Sequence, residues 1–145
     1  MSKASGPSVR RARDEELEAC REIRYRVFVL GQGVPAHLDD DGLDPESLHL
    51  VAHRGDRLIG TARLRELAGQ AKVERVSVLE SERGGGAGRA LMDGLEAEAR
   101  ARGLAAVILS AQEPVVEFYL RLGYAVEGER YMEAGIPHLR MRKPL

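Results

Sequence analysis

One cysteine, Cys20, stands among 145 residues, which excludes an internal disulfide framework and a zinc site built from cysteines. It falls three residues after Leu17 and three before Ile23, so a buried apolar role suits it better than a nucleophilic one. No apolar run approaches the roughly 18 residues of a membrane span, and the start "MSKASGPSVRR" lacks the apolar centre of a secretory signal. A cytoplasmic protein that does not engage the membrane is therefore expected. Neither sign of charge dominates: 22 lysines and arginines face 23 aspartates and glutamates. That balance argues against nucleic acid as the main partner, because such binding rests on cations neutralising phosphates. His37, His49, His53 and His138 show no metal-ligand spacing, so no metal is expected. There is also no repeat and no linker, which predicts a short flexible tail over residues 1–7 and a single domain over 8–145.

What the chain does have is glycine in one concentrated place. "SERGGGAGRALM", Ser81 to Met92, sets Gly84, Gly85, Gly86 and Gly88 directly before a run of helix formers. Glycine accepts φ > 0 and lets backbone amides approach a ligand closely, and a helix start favours anions. The nucleotide-binding P-loop fails here, since Gly88 is followed by Arg89 and Ala90 rather than by lysine and a hydroxyl residue. The dinucleotide fingerprint fails as well: begun at Gly84 it ends on Arg89, and begun at Gly86 it ends on Leu91. What remains is R-x-x-G-x-G, carried by Arg83, Gly86 and Gly88, for which a merely flexible turn is the competing reading.

Periodicity orders the rest. Leu17, Cys20, Ile23, Val27 and Leu30 predict a helix from Asp14 to Leu30. A loop follows, in which Asp39, Asp40, Asp41 and Asp44 lack calcium-loop spacing and read as a solvated acidic stretch. "LHLVAHRGDRLIGTARLRE" predicts a hairpin, and "KVERVSVL" a third strand whose alternation sets Lys72, Glu74, Val76 and Val78 on one face. After the glycine loop comes a helix ending at Gly103. Then "AAVILSA" predicts a strand buried on both faces, a short helix starts at Pro114, and a final hairpin turns at "MEAGIP".

Strand, R-x-x-G-x-G, helix, apolar strand and "FYLRLGY" (Phe118 to Tyr124) resemble, in that order, the GNAT superfamily of acetyl-CoA-dependent N-acetyltransferases. The resemblance is good from Val73 to Tyr124 and looser toward both ends, at "RYRVFV", "GTARL" and "AGIPHLRM". It implies an α/β (α+β) single-domain fold, with a mixed, mostly antiparallel sheet of about six to seven strands flanked by about four helices. It also implies acetyl-CoA as co-substrate, with its pyrophosphate held by Arg83, Gly84, Gly85, Gly86, Ala87, Gly88 and Arg89. Val76 and Val78 would line the pantetheine, and Gln112 would either contact the cofactor or cap the helix. The family often carries a basic or long polar side chain where Gly85 stands; its loss removes charge assistance and leaves the amides.

Tyr119, within "FYLRLGY", is the implied acid for the departing thiolate. Direct attack needs a neutral amine, and an alkylamine is neutral in only about 1 of 2,500 molecules at pH 7, so a base is useful. Glu74 is the candidate base, the other reading being an ion pair with Lys72 or an arginine. The resemblance places Arg63, Glu133 and His138 around the acceptor, a small-molecule amine or a protein lysine, and is compatible with a homodimer. The rival readings are a CoA-binding module without turnover and an enzyme like the acyl-homoserine lactone synthases.

Overall fold

A computed structural model describes residues 6–145; of the expected tail, residues 1–5 lie outside the described part. Seven strands form one sheet in the order β1-β2-β3-β4-β5-β7-β6, with β1 Ser8–Arg11, β2 Leu48–Arg54, β3 Arg57–Leu67, β4 Gln70–Val78, β5 Ala106–Gln112, β6 Ala125–Glu133 and β7 Ile136–Pro144. Every neighbouring pair is antiparallel except β4 and β5, and four α-helices accompany the sheet, so the fold is the mixed, mostly antiparallel one expected. Two hairpins close through consecutive residues of positive φ, Ala68 (49°) with Gly69 (78°) and Ala134 (52°) with Gly135 (75°), the geometry that matches strand twist. Strand β1 was not expected. Its sequence, Ser-Val-Arg-Arg, has one apolar residue, and its pairing with β2 from Ser8↔His53 to Arg11↔Leu50 is a tertiary contact no local pattern announces.

Helix α3, Ala87–Ala101, buries Leu91, Met92, Leu95 and Ala99 on one face of the sheet, and Gly94 lets the helix approach Leu50 and Val9, whose side chains lie 3.0 Å from where a Cβ would be. The opposite face carries α1, Leu17–Arg24, through Cys20 and Ile23. The helix expected from Asp14 to Leu30 is in fact composite: a 3₁₀ turn at Asp14–Glu16, then α1, then a π-helical turn at Tyr25–Leu30. Apolar spacing predicts the burial of Leu17-side residues but does not encode the extra residue per turn of a π segment, a feature often found beside functional sites. Past it, α2 (Ala36–Asp39) and a 3₁₀ turn at Asp44–Glu46 lie in the acidic loop.

Strand β4 departs from simple alternation. Its register against β3 shifts between Thr61↔Ser77 and Arg63↔Glu74, and Arg75 takes φ 58°, the mark of a β-bulge. Val73, Val76 and Val78 all pack on the core beneath α3. Glu74 points the other way, toward Arg63, so the single face expected for Glu74, Val76 and Val78 is split by the bulge. A second consequence concerns β5, which pairs with β4 only from Ala71↔Val107 to Val73↔Leu109. Beyond Val73 and Leu109 the two strands diverge, and their facing main-chain edges are left without ladder partners.

Candidate active site

A cleft of about 880 Å³ opens where β4 and β5 part, and it runs from the glycine loop to the β6–β7 turn. At one end Gly86 takes φ 92° as the residue preceding α3, with no side chain capping the helix. The amides of the first turn therefore stay available. Gly84 also has positive φ, and nothing lies within 4 Å of where a Cβ on either glycine would sit. An open cradle of amides at a positive helix end fits a pyrophosphate. Gly88 serves differently: a Cβ there would meet Phe118. Around the cradle, Arg83 and Arg89 are exposed cleft residues, Ala87 is buried, and Arg83 Nε donates to the Val78 carbonyl. The Arg54 guanidinium lies 3.2 Å from the Cβ position of Gly85, so a cation from β2 stands beside the glycine that lacks one of its own. Glu82, which lines the cleft beside the loop, is neutralised by Arg54 and Arg57 at 3.1 and 2.8 Å.

Tyr119 reaches the middle of the cleft from α4, Val116–Arg121, which follows the 3₁₀ turn begun at Pro114. Phe118 and Tyr124 hold its ring edge-on at centroid distances of 5.0 and 5.8 Å. Tyr119 is buried, and desolvation pushes its phenol pKa above the ordinary value, so it keeps its proton. Val76, Val78 and Gln112 line the same cleft. Gln112 exchanges two side-chain hydrogen bonds, at 3.0 and 2.7 Å, with Gln32 just past the π-helical turn. The pair ties the end of β5 to the first helical segment across the cleft, a contact between residues 80 apart in sequence that no motif reveals.

Three sequence expectations are revised here. Arg63 does not line the cleft; it is fully buried beneath it, bound to Asp41, to Asp44 at 3.0 Å and to Glu74 at 3.1 Å. Glu74 does line the cleft, but Arg65 grips it at 2.7 and 3.2 Å and Arg63 adds a third donor. Burial acts to raise its pKa, yet the Arg65 bonds and the Arg63 charge outweigh that and lower it. A carboxylate so held is a poor proton acceptor, and its ion pairs match the structural reading. The acidic loop is only partly solvated: Asp40 and Asp41 are exposed, but Asp39 is half-buried and Asp44 buried. Asp44 accepts from Arg24 at 2.9 Å with both oxygens, and Asp39 and Asp41 pair with Arg75. Arg24 was the overlooked signal, since it stands four residues after Cys20 on the apolar stripe and an arginine there needs a buried anion.

His138 and Glu133 lie together at the far end of the cleft. His138 is buried at 6% exposure, and its Nδ1 sits 2.7 Å from the Ile136 carbonyl, which can only accept. Nδ1 therefore carries the hydrogen, and in the neutral ring Nε2 is left as an acceptor, 3.7 Å from a Glu133 carboxylate oxygen. Among the described residues no group of three or more His, Cys, Asp or Glu side chains is placed to hold a metal ion, and no helix is long and apolar enough to cross a membrane.

Comparison with known proteins agrees with this geometry. A family model described as an acetyltransferase (GNAT) domain matches residues 12–145. The Bacillus subtilis protein YjcF, described as an uncharacterized N-acetyltransferase, is 41% identical over 131 residues, covering 90% of this chain and 94% of its own. Among solved structures, an acyl-CoA N-acyltransferase of Pseudomonas aeruginosa superposes with a TM-score of 0.82 at 31% identity, covering 94% of this chain and 99% of that one. Escherichia coli ElaA gives 0.81 at 26% identity with the same coverage.

Proposed function

Because the chain belongs to the GNAT acetyltransferase family, we propose that it moves an acetyl group from acetyl-CoA to a primary amine by direct attack within a ternary complex. The observation that carries this reading is the split between β4 and β5. It leaves main-chain edges free to pair with an extended thioester-bearing arm, between an amide cradle at Gly84–Gly88 and the Tyr119 hydroxyl. Acetyl-CoA supplies the acetyl as an activated thioester. The chain's own groups do the rest.

Amides of the glycine loop, with Arg83 and Arg89 beside them, bind the pyrophosphate. Val76 and Val78, turned toward the cofactor side by the Arg75 bulge, border the arm. Tyr119, held protonated by burial, donates its hydroxyl proton to the departing thiolate. Proton removal from the amine falls to Nε2 of His138, the one imidazole nitrogen at the acceptor end whose lone pair is not used by its Nδ1 partner. Glu74 fixes Arg65 and Arg63 rather than taking the proton. Cys20 is fully buried away from the cleft, and burial raises its thiol pKa, which removes the covalent-carrier route.

Initial rates measured with acetyl-CoA over a panel of primary amines test the reading. Intersecting double-reciprocal lines are expected. Parallel lines, or acetyl-CoA binding with no amine acetylated, would overturn it.

A further inference from the structure

On the sheet face that carries α1, the helix packs chiefly over β3 and β4. Beyond β4 this face presents a row of cross-strand neighbours, Lys72, Ile108 and Arg142, and a second row of Ser110, Arg140 and Glu127. Directly paired residues share a face, as do residues two apart, so Lys72, Arg140 and Arg142 project from the same side. Together with Ser110 and Glu127 they line a second cavity of about 400 Å³. Lys72, Leu109 and Ser110 also line the main cleft, so the two spaces adjoin.

The charges in this second cavity are unbalanced. Among the described residues, the other sheet arginines close to the cleft are neutralised: Arg63 by Asp41, Asp44 and Glu74, Arg65 by Glu74, and Arg75 by Asp39 and Asp41. Among the described residues, Lys72, Arg140 and Arg142 have no carboxylate at ion-pair distance, and Arg140 instead lies 4.9 Å over the Tyr131 ring. Glu127 is the one carboxylate in the lining, which leaves an excess of two positive charges. A concave basic surface concentrates anions.

We propose that this cavity is a subsite for an oxyanion carried by the acceptor itself, so that the substrate class is a primary amine bearing a carboxylate or a phosphate. The inference rests on the acetyl-transfer reading for its amine half. Arg140 stands two residues along β7 from His138, the residue proposed to take the amine's proton, which sets amine and anion roughly 7 Å apart, and Arg142 lies one further step along the same face. Arginine suits the task because its fork matches a carboxylate or phosphate edge with two parallel bonds.

The test compares kcat/KM for pentylamine with that for 5-aminopentanoate and 3-aminopropyl phosphate, which present the two oxyanions at similar reach. At least one anionic amine is expected to exceed pentylamine by tenfold or more, and which one does so identifies the headgroup. In the double variant Arg140→Gln/Arg142→Gln the ratio should fall at least tenfold, while Arg140→Lys keeps part of it. Equal values for all three amines, or a ratio that survives the double variant, overturn the subsite. A second measurement is independent of turnover: guanidinium resonances of Arg140 and Arg142 in the CoA-loaded protein, titrated with 5-acetamidopentanoate, with 3-acetamidopropyl phosphate and with N-pentylacetamide. Shifts with either anionic compound and none with N-pentylacetamide support the subsite even if no amine is acetylated, in which case the transfer reading fails by itself. No shift with any of the three, or equal shifts with all of them, overturns the subsite even if transfer is observed.

Discussion

A Cβ added to Gly88 would sit 3.2 Å from Cζ of Phe118. The glycine at the first turn of α3 is thus a packing device that seats α3 against α4, while Gly86 at φ 92° is a conformational one. The two should fail differently. Gly88→Val is expected to lower stability by about 1–3 kcal/mol through overpacking, with partial recovery when Phe118→Leu is added. Gly86→Ala costs about 1–2 kcal/mol of left-handed strain that no neighbour can relieve, and it weakens acetyl-CoA binding in the same step. Urea denaturation and cofactor titration of Gly88→Val and Gly86→Ala, each alone and with Phe118→Leu, check this; a Phe118→Leu background that also rescues Gly86→Ala would contradict it.

Tyr119→Phe keeps the edge-on contacts with Phe118 and Tyr124 and deletes the proton. The expected outcome is a kcat loss of about 10²- to 10⁴-fold, with acetyl-CoA affinity little changed. Substituting a thioester with a more acidic leaving thiol should shrink the loss, because a better leaving group needs less protonation. A variant as fast as the parent with every thioester removes the acid from Tyr119.

Much of the site's frame is readable from sequence because it is local. Leu91, Leu95 and Ala99 at helical spacing after a glycine cluster announce α3 and its open N-terminus, and "AVILSA" announces β5. The bulge at Arg75 is not readable in this way. Arginine carries no turn signature, and its φ of 58° is imposed by the offset between β3 and β4. Plain alternation therefore sets Glu74 on the wrong face, beside Val76 and Val78. The buried carboxylates escaped notice for a related reason: Asp44 meets Arg24 and Arg63, which lie 20 and 19 residues away in sequence, so only the folded chain shows the pairing.

That same cluster predicts how the fold responds to acid. The Arg63 bonds hold the Asp41 carboxyl down at about 2, and Arg24 and Arg63 hold Asp44 lower still despite a burial effect that opposes them. In the unfolded chain both titrate near the ordinary value of about 3.9. Folded pKa values below unfolded ones contribute stability that is full above about pH 4 and is lost as pH falls through the folded values. Unfolding free energy from urea titrations should hence be flat from pH 7 to about 5 and drop steeply below 4. Asp44→Asn should cost about 3–5 kcal/mol at pH 7, because Arg24 and Arg63 remain buried with less to pair with, and it should flatten the acid limb. A parent protein whose stability does not change between pH 5 and 2.5 would refute the depressed values.

Removing the amine's proton offers the sharpest contrast between two residues that both line the cleft. If His138 Nε2 accepts it, His138→Gln, which keeps a polar side chain of similar reach, should lower kcat/KM by about 10²- to 10⁴-fold near neutrality. Raising the pH should restore activity progressively, since each unit supplies about tenfold more neutral amine from solvent until the amine's own pKa is reached. Glu74→Gln should behave otherwise. It keeps one oxygen for Arg65 but removes the charge that Arg63 and Arg65 share, so the expected cost is about 2 kcal/mol of stability. Activity should fall by a factor that does not vary with pH, because the displaced group is an arginine and arginine does not titrate in this range. Full pH–rate profiles of both variants decide the matter. A Glu74→Gln enzyme rescued by high pH, beside a His138→Gln enzyme that keeps the parent profile, would return the base to Glu74 and require that its grip on Arg65 loosen when the acceptor binds.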